Sequence, residues 1–250
     1  MSEAARVRLA RWAVILAAVA ALEVIPRSGL GDAITLIPLS EIIPEFFELL
    51  VEGEFTPHLV ATGGAFVLAF LLAAATGIPL GFLLWRYRLL RRTLDPYLTT
   101  YYAIPIFAFY PLLLAVLGFN ILPVVVISWA WAVVAVILNT AIGLGEVPEV
   151  LVKVGRSLSL SRWKVLSRIF FPAAVPYVFT GLKLGMIYAL IGVIASEFVL
   201  STRGLGYLVS YNYVNFSTAA MYSAMFLILF LAILLNWTLS AIERRLYAHG

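Results

Sequence analysis

The chain has 250 residues, of which 63% are apolar and 12% are charged; its formal net charge is +4 and its mean hydropathy is +1.03. Because an ordinary soluble domain is about a quarter charged, this composition excludes a soluble protein and predicts an integral membrane protein with one membrane domain. The chain has no cysteine and only two widely separated histidines, His58 and His249, which excludes disulfides and thiolate catalysis and disfavours a metal site.

Six apolar runs are long enough to cross a bilayer as helices. They lie at about 9–26, 58–85, 98–117, 121–144, 169–196 and 219–242. The predicted fold is therefore an all-α integral membrane protein with six transmembrane helices. An even number of spans places both termini on the same side of the membrane.

The charged residues indicate which side that is. Most basic residues fall near the termini or in the even-numbered connections, at Arg6, Arg8, Arg11, Arg86, Arg88, Arg91, Arg92, Lys153, Arg156, Arg162, Lys164, Arg168, Arg244 and Arg245. The other side carries Arg27 and Arg203 with the acids Asp32, Glu41, Glu45, Glu48, Glu52, Glu54 and Glu197. The positive-inside rule then predicts cytoplasmic termini and a cytoplasmic segment between the fourth and fifth spans.

The N-terminal region, residues 1–57 with the first span and the amphipathic segment, is predicted to be a separate unit before a core of five spans at 58–250. Three arginines before an alanine-rich run resemble a signal peptide, but an uncleaved first helix explains the charge distribution better. The stretch Glu41–Glu54 alternates acids with large apolar residues, which predicts a short amphipathic helix at the outer interface. Its acidic side is expected to be solvated, or alternatively to dock a soluble partner.

Two features inside the apolar runs point to a pathway. Pro105 and Pro111 in the third span predict a helix that lines a pathway or moves. Lys183 lies in the fifth span, where an ionisable residue costs about 2.5 to 3.5 kcal/mol at the bilayer centre. We expect Lys183 either to bind a carbonyl or hydroxyl of a neighbouring span or to line the pathway.

Enzyme signatures are missing from the sequence. It contains no G-x-x-x-x-G-K-[ST] phosphate loop, no G-x-S-x-G elbow, no H-E-x-x-H pair and no paired acids within a span. The sequence therefore gives little support for an enzyme, and no cofactor or metal of its own and no nucleic-acid partner are expected. A membrane-embedded enzyme stays open as an alternative.

The basic segment 145–170 is patterned as two helices. Val150, Val154 and Leu158 fall on one helical stripe, a break follows at Ser159–Ser161, and Ser161 is a candidate N-cap for a second helix. The spacing alone fits an amphipathic connector resting on lipid headgroups equally well.

The order of short motifs from about Gly53 onward resembles a known family. The motifs are Gly77–Gly81, Leu94–Pro96, Ala103–Pro105, Pro111–Leu112, Ala173–Leu182 and Arg203–Tyr207. In this order they resemble the membrane permease subunit of a binding-protein-dependent ABC importer, in the branch that handles nitrate, sulfonates, taurine and some vitamin precursors.

The resemblance implies partners and a mechanism. An extracytoplasmic substrate-binding protein would deliver substrate to a second permease chain and this one, and two ATPase subunits holding ATP and Mg would drive alternating access. The location would be the bacterial-type cytoplasmic (inner) membrane, in a lipid bilayer. A self-contained secondary transporter or channel is the rival from another class.

In that family the segment before the fifth span is a coupling loop that enters a cleft of the ATPase. The resemblance assigns this role to Lys153, Val154, Gly155, Leu158, Ser159, Leu160, Ser161 and Trp163. Lys153 stands where the family usually has glutamate, and Ser159 where it has a left-handed glycine, which costs about 1 kcal/mol for another residue. The chain either tolerates the altered loop as a homodimer, which we favour, or pairs with a different permease chain.

Aromatic residues concentrate in the third span and its lead-in. They are interface anchors, or they line a pathway for a flat organic substrate. The candidate pathway residues are Tyr101, Tyr102, Phe107, Asn139 and Lys183. We favour an organic nutrient, a vitamin or its precursor, over nitrate, sulfonate, taurine or bicarbonate.

Overall fold

A computed structural model describes residues 3–29 and 36–247 of the chain, and Asp32 and His249 lie outside those residues. The described part is helical and contains no strand, which confirms the predicted all-α class. The helices are α1 (Glu3–Arg27), α2 (Leu39–Glu52), α3 (Phe55–Arg86), α4 (Arg88–Thr100), α5 (Tyr110–Leu117), α6 (Leu122–Gly145), α7 (Glu149–Ser157), α8 (Arg162–Val165), α9 (Phe171–Leu200), α10 (Leu205–Val214) and α11 (Thr218–Tyr247).

Five of the six predicted spans coincide with helices that are long and apolar enough to cross a membrane. These helical stretches are Ala5–Arg27, Phe55–Arg86, Leu122–Gly145, Arg162–Val199 and Thr218–Arg245. The run lengths alone therefore located most of the membrane-spanning helices.

The third predicted span, 98–117, is bent into two helical arms, and it is the sixth span when the two arms are counted together. Its arms, Arg88–Ala103 and Ile106–Leu117, meet at an angle of 85°. Ile104 is extended, with φ −80° and ψ 124°. The next residue, Pro105, disfavours a helical conformation of the residue before it and lacks an amide hydrogen. The hydroxyl of Tyr101 donates to the carbonyl of Ala130, 3.0 Å away, which places the break beside the middle of α6.

Helix α6 forms the centre of the fold, between α3 and α9. The contact is close because glycines replace side chains at both interfaces. Gly81 of α3 lies so near α6 that a Cβ atom there would be 2.6 Å from the carbonyl oxygen of Ile137. On the other side, a Cβ atom on Gly185 of α9 would be 2.8 Å from Val136 Cγ2. These three helices form the main hydrophobic core of the described residues.

Glu197 lies near the end of α9, and its side chain is buried, with only 2% exposed. The turn before α10 folds back onto α3 and covers it. Thr62 Oγ1 donates to the carboxylate at 2.8 Å and Gly206 N at 3.1 Å, while the Thr62 hydroxyl accepts from Leu205 N at 2.8 Å. These donors satisfy a carboxylate that burial would otherwise strongly disfavour.

The N-terminal elements attach at the same end. Helix α2 confirms the predicted amphipathic helix, and Ser40 at its start donates to Glu23 of α1 through both its amide (3.0 Å) and its hydroxyl (2.9 Å). The ring of Phe46 packs against Phe55 and Phe226, at centroid distances of 5.8 and 5.9 Å. Helix α2 therefore packs on the core. The division of the chain into residues 1–57 and 58–250 stays a prediction.

We expect Gly81→Ala to destabilise the protein by about 1 to 3 kcal/mol, because the added Cβ overlaps α6. Gly64→Ala in the same helix is the matched control, since nothing lies within 4 Å of a Cβ there and alanine favours a helix by about 1 kcal/mol. Thermal unfolding of the detergent-solubilised protein measures both. Equal melting temperatures for the two variants would contradict the close packing.

Candidate coupling and translocation sites

Helices α7 and α8 form a hairpin whose turn is a Schellman motif. The amide of Leu160 donates to the carbonyl of Gly155 at 3.1 Å, and the amide of Ser159 donates to the carbonyl of Arg156 at 2.9 Å. These two bonds are the pair that closes a helix with a left-handed residue after its end. Ser159 has φ 52°, which confirms the left-handed conformation expected at this position.

The second helix begins at the predicted cap. Ser161 is extended, and its side-chain oxygen accepts from the amide of Lys164 at 3.4 Å. After α8, one π-helical turn at Leu166–Phe170 continues directly into α9. The ring of Phe170 packs on Trp85 at the end of α3, with centroids 4.8 Å apart. The hairpin is thus continuous with one core helix and in contact with another.

The hairpin has an inner and an outer face. Gly155 is buried because Ile169 occupies the space where its side chain would be, and Leu160 and Val165 lie close by. The outer face carries exposed apolar side chains, at Val150, Leu151, Val154, Leu158 and Trp163. Leu158 is 68% and Trp163 70% exposed, so the hairpin presents large apolar side chains on its surface.

Lys153 does not hold the hairpin together. Its Nζ lies 3.4 Å from Glu149 Oε2, but the two side chains are 72% and 88% exposed. Exposed ion pairs of this kind contribute about 0 to 1 kcal/mol. The side chain of Lys153 is therefore available at the rim of the outer face.

The break in the third span lies in a cluster of aromatic rings, which we call the aromatic cluster: Tyr101, Tyr102, Phe107, Trp131 and Tyr188. Phe107 meets Trp131 edge to face, with centroids 4.6 Å apart, and Tyr102 lies 5.4 Å from Tyr188. Trp131 and Tyr188 are nearly parallel, 6.1 Å apart with 11° between their planes. The structure thus brings three of the predicted pathway residues together.

Trp131 and Tyr188 were not among the residues predicted from sequence. The signal available was their position in the middle of apolar runs, since tryptophan and tyrosine in membrane helices usually lie at the interfaces. That signal identifies both residues but does not indicate that they meet.

The other two predicted pathway residues are bound elsewhere. The Asn139 side-chain amide donates to the Ala135 carbonyl of its own helix at 2.9 Å. Lys183 Nζ lies 2.6 Å from Glu243 Oε2 and 3.5 Å from the Ser240 hydroxyl, both on α11. A hydroxyl partner was expected for Lys183, but the nearer carboxylate was not. Lys183 therefore takes part in an ion pair between α9 and α11.

A pocket of about 500 Å³ opens at the end of the fold opposite the hairpin, between α3, α5 and the turn after α9. Tyr110, Glu197 and Arg203 are among its lining residues. Burial of Glu197 by this turn was not apparent from sequence, because it depends on Thr62 more than a hundred residues away.

The family model described as "Binding-protein-dependent transport system inner membrane component" matches residues 73–248. The match begins within α3, so α1 and α2 precede it.

Several curated permeases are similar to this chain. The taurine transport system permease protein of Escherichia coli K12 is 29% identical over 196 residues, covering 78% of this chain and 71% of that protein. A nitrate import permease protein of Synechococcus elongatus is 32% identical over 147 residues, covering 58% of this chain and 53% of its own length. A putative ABC transporter permease of Methanocaldococcus jannaschii is 29% identical over 84% of this chain and 79% of that protein.

Among solved structures, an inward-facing form of the MetNI methionine ABC transporter contains a chain of the same fold. The TM-score is 0.66 at 18% identity, covering 79% of this chain and 95% of that one. At this identity the likeness establishes the fold.

We expect Ser159→Gly to stabilise the hairpin by about 1 kcal/mol, because glycine adopts the left-handed conformation without strain. Ser157→Gly is the matched control and should destabilise it by about 0.5 to 1 kcal/mol, since residue 157 is helical. Hydrogen exchange of the amides at 149–165 measures both. Faster exchange in Ser159→Gly than in the wild type would show that the turn is not strained.

Proposed function

Because the chain belongs to the family of binding-protein-dependent transport system inner membrane components, we propose that its α7–α8 hairpin couples it to an ATPase subunit. The chain is the multi-pass permease subunit of an ABC importer. The proposal concerns how this permease is driven, which partners it meets and what it carries.

The exposed outer face of the hairpin is the observation that carries the proposal. Its apolar side chains, including Leu158 and Trp163, are exposed, and the Schellman turn, the Ser161 cap and the contact of Gly155 with Ile169 fix the backbone that carries them. A preorganised apolar face loses little entropy on binding and suits a protein cleft. A connector that only rests on headgroups would not need this internal fixation.

The continuity of α8 with α9 supports transmission of motion. A displacement of the hairpin would be transmitted through the π-helical turn at Leu166–Phe170 to α9, which packs closely against α6 at its glycines. Packed helices move as units because their interfaces resist gradual deformation. Closure of the ATPase on ATP and Mg would thereby shift the helices around the break in the third span.

The partners follow from this arrangement. Two ATPase subunits would bind two permease chains, with two copies of this chain favoured over a mixed pair, and an external binding protein would meet the acidic outer side. The termini and the hairpin would face the cytoplasm of a cell with a bacterial-type inner membrane, as the positive-inside rule requires.

The pathway is proposed to run along the broken third span. Irregular backbone at membrane depth is tolerated where it is buried in protein or lines a cavity, and binding sites in transporters recur at such breaks. Tyr101, Tyr102 and Phe107 lie at this break, whereas Asn139 and Lys183 are held by other partners.

An organic nutrient is favoured as the substrate. The relatives named above carry taurine and nitrate, and an anionic substrate remains the alternative for this chain. Lys183 is neutralised by Glu243, so it does not offer an uncompensated positive charge to an anion. The aromatic rings around the break offer surfaces that suit an organic molecule.

We expect Leu158→Asp to lower both co-purification with the ATPase subunit and coupled ATP hydrolysis at least about tenfold, as for a central interface residue. Leu158 is a cleaner site than Leu160, because Leu160 packs inside the hairpin and its replacement would disturb the turn. Proteoliposomes containing the permease, the ATPase and the binding protein provide the measurement.

Val214→Asp is the control, since Val214 is 70% exposed and lies at the other end of the molecule, before α11. It should leave ATPase co-purification unchanged. Normal coupling in Leu158→Asp with normal membrane insertion would overturn the proposed role of the hairpin.

A further inference from the structure

A second pocket, of about 270 Å³, lies between α3, α6 and α9 at the end of the fold that carries the hairpin. Its lining includes Phe82 of α3, Leu144 of α6, and Phe171 and Leu182 of α9, and Thr140 is the one polar residue of the lining. Along α9 the pocket extends from Phe171 to Leu182, which is about 16 Å at the rise of an α-helix. Voids of this size are rare in packed proteins, and apolar voids exclude water but admit apolar molecules. The pocket therefore suits a long, narrow, apolar ligand.

Thr140 brings an unsatisfied polar group to this pocket. Its side chain is 2% exposed, and its hydroxyl has no hydrogen-bond partner among the residues that the structure describes. Threonine in a membrane helix usually donates to the carbonyl four residues earlier, as Thr76 does to Leu72 at 2.6 Å. Because a buried hydroxyl without a partner is unfavourable, Thr140 indicates that the ligand carries a hydrogen-bond acceptor.

Positive charge lies just beyond the hairpin end of the pocket. Arg86 follows Phe82 by four residues, which is one helical turn, and Arg168 precedes Phe171 by three. Both arginines are exposed, and in the described part of the chain neither forms an ion pair. Basic residues at the ends of membrane helices attract anionic lipid headgroups. An apolar pocket that ends at two unpaired arginines matches a lipid with a negatively charged headgroup.

The pocket also adjoins the contact between the hairpin and the core. The rings of Phe82 and Phe171 lie 6.5 Å apart, and Trp85 contacts Phe82 at 5.5 Å as well as Phe170 at 4.8 Å. A molecule in the pocket therefore touches α3 and the start of α9, which continues from the hairpin.

We propose that this pocket binds one acyl chain of an anionic phospholipid whose headgroup lies beside Arg86 and Arg168. The hydroxyl of Thr140 donates to an ester carbonyl of the lipid. Thr140 packs on Gly81, five residues before Arg86 and about 8 Å from it along the helix, so an ester group lies below a headgroup at Arg86. The site does not rest on the proposed coupling, because it requires only that the chain lies in a bilayer.

The test is lipid binding to the full-length permease, purified in detergent and measured by native mass spectrometry. The probes are phosphatidylglycerol and phosphatidylcholine with identical acyl chains, and glycerol 3-phosphate as a headgroup without chains. We expect one phosphatidylglycerol to bind at least about fivefold more tightly than phosphatidylcholine, because the arginines attract its negative charge. Glycerol 3-phosphate should not bind at the same concentration, since it has no chain to fill the pocket.

Two variants test the pocket itself. Val178→Phe fills it and should lower phosphatidylglycerol affinity at least about tenfold. Val199→Phe is the matched control, because Val199 lies on the same helix, is 47% exposed and does not line this pocket. Its affinity should equal that of the wild type. Thr140→Val keeps the shape of the side chain and should lower the affinity about three- to tenfold through loss of one hydrogen bond.

A third variant tests the headgroup contact. Arg86→Gln combined with Arg168→Gln should remove the preference for phosphatidylglycerol over phosphatidylcholine, whereas Arg11→Gln on α1 should keep it. If Val178→Phe does not fold, Thr140→Val and the double arginine variant still decide.

Three results would overturn the site. The first is equal affinity of the wild type for the two phospholipids, or unchanged phosphatidylglycerol affinity in both Val178→Phe and Thr140→Val. The second is binding of glycerol 3-phosphate as tight as that of phosphatidylglycerol, which would show a headgroup site without the pocket. The third is a dimer without bound lipid, which would assign the pocket to the contact between two copies of the chain.

Discussion

The close packing of α6 between α3 and α9 is the constraint on which the other features depend. Glycines at positions 81 and 185 let the backbones approach, so the three helices form a rigid block. The α7–α8 hairpin continues directly into the start of α9. The aromatic cluster forms where α6 and α9 face the broken third span. At the other end of α9, Glu197 and Thr62 attach the turn before α10 to α3. Displacing one core helix would move all three sites together.

Local signals made much of the fold and the hairpin predictable. Apolar run length located five spans, and the cap Ser161 was predicted because capping depends on neighbours a few residues away, whereas the left-handed conformation of Ser159 was expected from the family resemblance. Contacts between distant residues were not predictable. Lys183 meets Glu243 sixty positions later, and the burial of Glu197 depends on its donors Thr62 and Gly206, which come from other helices. In the third span, the prolines indicated a helix that lines a pathway or moves, but the apolar run did not indicate a bend of 85°.

The altered positions of the coupling segment lie where substitution is tolerated. Lys153 pairs loosely with Glu149 on the exposed surface, and Ser159 completes the turn at a modest cost in strain. The contact that shapes the hairpin is that of Gly155 with Ile169, which a larger residue at 155 would block. If the hairpin docks as proposed, the reversed charge at Lys153 affects the rim of the docking surface, while the inner face maintains the shape of the hairpin.

The most direct measurement is site-specific cross-linking at the hairpin, and the absence of native cysteine makes it clean. A single cysteine replaces Leu158, or Val214 as the control, and carries a photoreactive group in membranes that contain the ATPase subunit. The proposed docking requires a cross-link from position 158 to the ATPase, none from position 214, and a change in yield on ATP binding. Cross-links from position 158 to lipid alone, in a complex that still hydrolyses ATP in response to the binding protein, would contradict it.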